Sequence, residues 1–465
     1  MASDYPKSCI IGAGPCGLTT GKALLERGLP YDCFDASDDV GGNWYFGNPN
    51  GLSSAYRMLH IDSSKKRSQF SDFPMPAEYP DFPHHSQILQ YFRDYAQRFQ
   101  LRPHIQFRTK VEKCERLPTG EWTVRLSTGE TRAYDALFVC NGHHWDARWP
   151  EPSFPGDFNG KLMHSHDYKD SEEFRGKRVV VLGMGNSAMD IAVECAYIAD
   201  KVYLAARRGA HIVPKYVWGR PLDHWVAPWM PFWIVRKIAR FMVWVQIGSY
   251  EKYGLPTPDH KMLEAHQSVS TALYDRLAHG DIKIKPNISH FQGDKVYFVD
   301  GSYVEADAVI FCTGYRVTFP FFDSSLVSAP DNDLPLYLRM IKPGIDNLFF
   351  IGLCQPLGAI FPIAERQAVL AAEYLAGRCA LPDADDMTDD MKREREAMFK
   401  RYVRSKRHTM QVDFDPFMKK LTQVIDAGKK EAIIPGYIPP IRRHVESNAP
   451  TMEPDRPMAF ASREP

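Results

Sequence analysis

An apolar run that breaks at a glycine turn and restarts as a helix occurs twice in this chain, and that repetition constrains its fold more than any other feature. "SCIIGAGPCGLTTGKALLERG" (8–28) leads to "YDCFD" (31–35), and "RVVVLGMGNSAMDIAVECAYIA" (178–199) leads to "KVYLAA" (201–206). Each reads as strand, turn, helix, strand, the opening of a doubly wound sheet. The turns carry Gly12, Gly14 and Gly17 in the first unit and Gly183, Gly185, Asn186, Ser187 and Ala188 in the second. Small residues there let the backbone approach a pyrophosphate seated on the positive end of the following helix. A glycine string alone says little, but a whole unit present twice predicts an α/β fold with two Rossmann-like dinucleotide-binding domains.

The two units end differently. The second strand of the first unit closes on Asp35, where a carboxylate can accept hydrogen bonds from the hydroxyls of an adenosine ribose; this fits FAD and, less well, NAD. The equivalent strand of the second unit runs into Arg207 and Arg208. Arginine there suits a 2′-phosphate, so NADPH is expected in preference to NADH. A flavin beside a nicotinamide implies hydride transfer from NADPH to FAD. The nine cysteines (9, 16, 33, 114, 140, 195, 312, 354 and 379) include no adjacent redox pair. O2 is then the expected electron acceptor, and a disulfide reductase of the same plan is disfavoured.

Composition agrees with a small-molecule enzyme. In 465 residues, 57 Lys and Arg balance 57 Asp and Glu, which gives no electrostatic reason to expect nucleic acid as a partner. The scattered cysteines suggest reduced thiols in a cytoplasm, and no ligand spacing marks a metal site, at His164 and His166 or elsewhere. The start "MASDYPKSC" lacks a basic segment followed by an apolar one, so no signal peptide is expected. Only 225–247, "WVAPWMPFWIVRKIARFMVWVQI", invites a membrane reading. Pro228, Pro231, Arg236, Lys237 and Arg240 interrupt it, so no transmembrane helix is expected. Five of the nine tryptophans (218, 225, 229, 233 and 244) lie in or near it. The stretch fits three roles: packing that lines a substrate channel, peripheral membrane contact through 218–247, or the face of a homodimer.

Along the chain, "GEWTVRLSTGETRAYDALFVCNG" (120–142) and "DKVYFVDGSYVEADAVIFCTG" (294–314) each read as a hairpin leading into a buried strand. The expected organisation is an FAD domain beginning over 1–154, an NADPH domain over 155–310 with an aromatic-rich insertion at about 213–255, a return of the FAD domain over 311–382, and a charged helical extension with a loose tail over 383–465. The NADPH domain is thus inserted into the FAD domain, whose chain should resume at "IFCTGY" (310–315) and "NLFFIGL" (347–353).

At 158–168 stands "FNGKLMHSHDY", in which Phe158, Gly160, His164 and Tyr168 match F-x-G-x-x-x-H-x-x-x-[YF]. This resembles the signature of the flavin-containing monooxygenases, class B flavoprotein monooxygenases, in a soluble bacterial-like member. Baeyer–Villiger enzymes carry a similar string ending in Trp followed by Pro or Asp, where this chain has Tyr168-Lys169. "GGNW" (41–44), "FSDFPMP" (70–76), "IFCTGY" (310–315) and "GLCQPLGAIFPIAERQA" (352–368) resemble further family segments. The resemblance covers about 5–380, and the C-terminal anchor of the animal members has no expected counterpart. It implies that Gly42, Trp44, Gln355, Pro362 and Gln367 lie near the flavin, that Thr313, Gly314 and Tyr315 form a linker, and that His164 and Tyr168 belong to the catalytic motif, with His164 positioning the cofactor rather than transferring a proton.

The activity so implied is reduction of FAD by NADPH, addition of O2 at the flavin C4a position, and oxygenation of an amine nitrogen or sulfide sulfur by the resulting hydroperoxide while NADP+ stays in place. The alternatives are Baeyer–Villiger oxidation of ketones and a largely uncoupled NADPH oxidase. One residue departs from the pattern. "HIDSSK" (60–65) has Asp62 where the family carries an Asn thought to support oxygen activation. An ionised carboxylate cannot donate a hydrogen bond to a peroxide. Asp62 is therefore expected to be protonated by burial, paired with a cation such as Lys65 or Arg67, or turned away; otherwise it is a plain turn residue. Substrate identity is open: 213–250 with Phe319, Phe321 and Phe322 suggests a roomy apolar pocket, and packing alone would also explain these residues.

Overall fold

The structure, a computed structural model, describes residues 6–225, 230–265, 267–401 and 409–433. Pro228, Trp229 and the tail beyond 433, all singled out above, lie outside the described residues. The chain opens with β1 (Ser8–Ile11), α1 (Pro15–Leu25) and β2 (Tyr31–Phe34), continues through α2 (His85–Arg98) and β3 (Ile105–Gln106), and lays down β4 (Ala136–Val139). A second set follows: β5 (Lys161–His164), β6 (Arg178–Leu182), α3 (Asn186–Cys195), β7 (Lys201–Ala205), α4 (Phe232–Ile247), α5 (Ala272–His279), β8 (Ile282–Lys285) and β9 (Ala308–Phe311). The chain then returns with β10 (Leu348–Phe350), β11 (Gln355–Leu357), α6 (Phe361–Leu375), α7 (Ala384–Arg401), β12 (Gln411–Asp413) and α8 (Phe414–Ala432).

These strands form two five-stranded sheets, ordered β10-β4-β1-β2-β3 and β8-β7-β6-β9-β5, with every adjacent pair parallel. Parallel sheets are covered on both faces, which is why β1 and β4 read as unbroken apolar runs. In the first sheet Ile10, Phe138 and Phe349 face α1, α2, α6 and α8, while Cys9, Leu137 and Phe350 face a three-stranded antiparallel sheet (111–134) and the chain over 317–336. In the second, Val179 and Val181 face α3 and α5, and Val180 and Leu182 face another antiparallel sheet (288–305). The two halves repeat one plan: the glycine-turn strand is central, flanked by the strand after its helix and by a strand that follows an antiparallel sheet.

The crossing points between the halves lie side by side. Asp146–Ala147 and Tyr315–Arg316 pair antiparallel as a two-stranded ribbon. Ile310 and Phe311 end β9 and so belong to the second sheet; "IFCTGY" is the exit from that sheet, and the chain rejoins the first core at Val317 and Phe319. Phe319, Phe321 and Phe322 are buried in that core, and of the three only Phe321 reaches the central cleft.

No helix among the described residues is long and apolar enough to cross a membrane. The 16-residue α4 has two distinct faces. Val235, Ile238, Ala239 and Met242 line the cleft, while Trp233, Lys237, Phe241 and Trp244 point outward and are exposed.

Candidate active site

Both glycine turns open onto one cleft of about 2150 Å3, larger than the roughly 300–1,000 Å3 of a usual single-ligand site. In the first turn Gly12, Gly14, Asp35, Gly42 and Trp44 line it. Gly17 does not, but a Cβ there would lie 1.8 Å from the Gly12 carbonyl oxygen, so only glycine lets α1 sit on the turn. In the second turn Gly183, Gly185, Asn186, Ser187, Ala188, Arg207 and Arg208 line the cleft. Gly14 and Gly185 are the N-caps of α1 and α3, and neither helix has a side-chain cap. The first-turn N–H groups are thus left for a ligand, and an anionic pyrophosphate is the group that such ends accommodate.

Asp35 is already engaged. Its carboxylate accepts the backbone N–H of Ala13 at 2.6 Å and of Ser37 at 2.7 Å, tying the glycine turn to the end of β2. Burial raises its pKa, and these two bonds oppose the rise. A carboxylate has about four acceptor positions, so ribose hydroxyls remain compatible. Trp44 meets Phe361 edge-on at 6.0 Å, and Gln355 lines the cleft from β11. Gln367 stands apart: it is fully buried, its Oε1 accepts from the Gly352 N–H and its Nε2 donates to the Leu338 carbonyl, both at 2.9 Å. It touches the cleft only through Gly352. Pro362, at the start of α6, also lies outside the cleft wall.

Asp62 lies at the meeting of the two halves. The Asn186 amide donates to its Oδ2, and the Lys215 ammonium is 3.9 Å from its Oδ1 and 3.4 Å from the Ile61 carbonyl oxygen. Four residues beyond Asn186, one turn along α3, Asp190 accepts the Tyr56 hydroxyl at 2.6 Å. The segment 56–62 of the first half therefore grips the first turns of α3 at two points. The Asp62 side chain is 35% accessible and forms part of the cleft wall. Enclosure, and then the Asp190 charge, push its pKa up to about 7, against the opposing pull of Lys215 and Asn186. Burial raises Asp190 likewise, opposed by the Tyr56 bond.

The partner cation of Asp62 is thus Lys215, not Lys65 or Arg67. Lys65 is spent on the carbonyls of Pro76, Ala77 and Tyr79. Arg67 forms a two-pronged pair with Asp415 at 2.9 and 3.2 Å and covers the Phe414 ring. Of these groups, Tyr56 and Lys215 carried no signal in the sequence.

The signature residues sit at the edge of the site. His164 is fully buried between Trp149 and Tyr315, and its Nδ1 accepts the His166 N–H at 3.0 Å. Desolvation lowers its pKa to about 4, so the ring is neutral at neutral pH. Tyr168 faces the second core, stacked on Phe174 and edge-on to Tyr56, and is absent from the cleft wall; burial holds its phenol protonated. Thr313, Gly314 and Tyr315 line the cleft beside the ribbon, and the Thr313 hydroxyl donates to the Arg148 carbonyl.

The C-terminal extension is also part of the wall. β12 pairs in parallel with β11, and Arg401, Met410, Asp413, Phe414 and Asp415 all face the cleft. The family resemblance read from the sequence ended before this extension and gave it no role.

Comparison with known proteins accounts for this arrangement. A family profile described as flavin-binding monooxygenase-like matches residues 6–435, past the 380 at which the sequence resemblance was drawn to a close. Flavin-containing monooxygenase 5 of Mus musculus is 39% identical over 448 residues, covering 92% of this chain and 83% of its own. Dimethylaniline monooxygenase [N-oxide-forming] 2 of Rattus norvegicus is 35% identical over 443 residues, covering 90% and 83%. Among solved structures, S-allyl-L-cysteine S-oxygenase from Allium sativum shares the fold with a TM-score of 0.68 at 24% identity, covering 90% of this chain and 88% of that one. With two dinucleotide cradles on one cleft and this profile along nearly its whole length, the chain belongs to the flavin-binding monooxygenase-like family, enzymes that use FAD, NADPH and O2.

Proposed function

We propose that this enzyme places FAD in the first cradle and NADPH in the second and transfers one oxygen atom of O2 to the amine nitrogen or sulfide sulfur of a small apolar substrate. The single observation that carries this reading is the opening of both glycine turns onto one cleft, with Asp62 and Asn186 joined where the two halves meet. Substrate, O2, NADPH and one proton give oxygenated substrate, NADP+ and water. When bound, the flavin would supply the hydride acceptance and oxygen activation.

The chain's own residues bind, orient and set protonation. The uncapped ends of α1 and α3 hold the two pyrophosphates, and Arg207 and Arg208 favour the 2′-phosphate. Asp62, its pKa raised to about 7, can hold or release one proton where the two halves meet, and Lys215 offsets its charge when it is ionised. His164, neutral and packed against Tyr315, keeps the linker in place. Tyr168 acts only through the packing behind Tyr56. The apolar inner face of α4 borders the substrate space. The N-oxide-forming and S-oxygenase names of two relatives support nitrogen and sulfur as the atoms oxygenated.

The test is to reduce the flavin-loaded protein anaerobically with NADPH, mix it with oxygenated buffer, and follow flavin absorbance, hydrogen peroxide and product with an amine, a sulfide and a ketone. N- or S-oxide formed in proportion to NADPH supports the reading. Ester from the ketone alone, or peroxide with no product, overturns it in favour of Baeyer–Villiger oxidation or an uncoupled oxidase.

A further inference from the structure

Beyond the arginine pair, the mouth of the second cradle carries an acid. Asp259 lines the same cleft as Arg207, Arg208 and Gly209. Its Oδ2 is 3.6 Å from the Arg208 Nε, and its Oδ1 meets the His260 Nδ1 at 3.0 Å, so both carboxylate oxygens are engaged. The segment bearing it is fitted closely to the arginines. A Cβ on Gly209 would lie 2.2 Å from the Pro256 carbonyl oxygen, and the His211 Nε2 meets the His260 carbonyl oxygen at 2.8 Å, its ring edge-on to that of His260 at 5.0 Å. The loop that carries Asp259 is therefore fixed beside the segment that carries Arg208. The His260 contact first, then Arg208, lower its pKa, so it is an anion throughout the neutral range.

We propose that Asp259 is a cofactor-selectivity residue, which holds Arg208 at the mouth of the second cradle and by its own charge reduces the preference for a 2′-phosphate over a 2′-hydroxyl. This rests on the reading that the second cradle takes NADPH. The side chains of Arg208 and Asp259 are 58% and 53% accessible, and an exposed pair of this kind contributes only about 0–1 kcal/mol. Detaching Arg208 is therefore a small matter. The larger effect is that an entering phosphate dianion meets a carboxylate beside the guanidinium meant for it, and like charges so placed oppose binding. A ligand with a free 2′-hydroxyl meets no such opposition and can donate to the same carboxylate. One position thus penalises NADPH and accommodates NADH.

The test uses flavin-loaded full-length protein, in which the first cradle is filled, and measures by calorimetry the dissociation constants of adenosine 2′,5′-bisphosphate and of 5′-ADP. Asp259→Asn should tighten the bisphosphate about tenfold and move 5′-ADP by less than about twofold, whereas Asp259→Glu, which keeps the charge, should leave the wild-type ratio nearly unchanged. Arg208→Gln should weaken the bisphosphate alone. Equal shifts for both ligands, or none, in Asp259→Asn overturn the proposal. If wild type does not distinguish the ligands and neither Arg207→Gln nor Arg208→Gln affects either, the assignment of the cradle itself falls, and the proposal with it.

Discussion

The Tyr56 hydroxyl donates to Asp190 at 2.6 Å across 134 positions of sequence and joins the loop before Asp62 to the helix that carries Asn186. With the Asn186–Asp62 bond one helical turn away, it makes a two-point contact between the halves. Removing the donor leaves a buried carboxylate without its partner, which costs about 1–3 kcal/mol. Tyr56→Phe should lose stability of that order in urea unfolding and raise the KM for NADPH more than it lowers kcat.

Asp62 gives a pH signature. Its folded pKa, about 7, lies above the ordinary carboxylate value. The folded state therefore holds its proton more tightly than the unfolded chain, and stability falls as pH rises from about 4 to 7, then levels off. Asp62→Asn should remove that slope, so its melting temperature should exceed that of wild type by more at pH 8 than at pH 5. Thermal unfolding across that range checks the sign.

His164 has the opposite sign. Its pKa is lowered to about 4, so wild type loses stability as pH falls from about 6.5 toward 4. His164→Gln should lose less over that interval. In the rate profile between pH 6 and 9 the replacement should add or remove no ionisation, because the ring is neutral throughout. A shifted limb in that profile would assign His164 a proton-transfer role.

The Arg67–Asp415 pair brings the C-terminal extension to the cleft wall. Its side chains are 24% and 20% accessible, and Arg67 also covers Phe414. Asp415→Ala should remove the two-pronged carboxylate from the guanidinium, destabilise the protein by about 1–3 kcal/mol, and speed release of bound flavin on dilution, read as a rise in flavin fluorescence.

The outward face of α4 sets Trp233, Lys237, Phe241 and Trp244 on one exposed stripe, the composition that seats a helix at a lipid interface. Wild type should sediment with anionic vesicles at low salt, and the double replacement Trp233→Ala and Trp244→Ala should not. Unchanged binding would leave packing or a copy of the chain as the role of this face.

How much of this was legible depended on whether the feature is local in sequence. The two sheets followed from the repeated strand–turn–helix units, because a glycine turn and an apolar run are both set by neighbouring residues. The antiparallel sheets were half visible: each hairpin could be read, but 111–116, the strand that completes the first, is separated from it by a turn. Residues read from a strand end or from the family resemblance, such as Arg207, Arg208 and Gln355, do line the cleft, whereas contacts that join distant segments were illegible. Lys215 beside Asp62, Tyr56 on Asp190 and Asp415 on Arg67 are products of tertiary packing. Gln367 shows the converse: its place in a motif-like string suggested the cofactor, and its side chain is used entirely to tie Leu338 to Gly352.

The ribbon of Asp146–Ala147 with Tyr315–Arg316 has a mechanical consequence. Two separate linkers could each bend alone; joined by strand pairing, the outgoing and returning chains are constrained together where they cross between the halves. Further contacts between the halves, among them Tyr56–Asp190, Asp62–Asn186, Arg57–Asp170 and Tyr216–Asp81, add to that constraint. The halves are thus laced together at many points, and the charge on Asp62 bears on one of them.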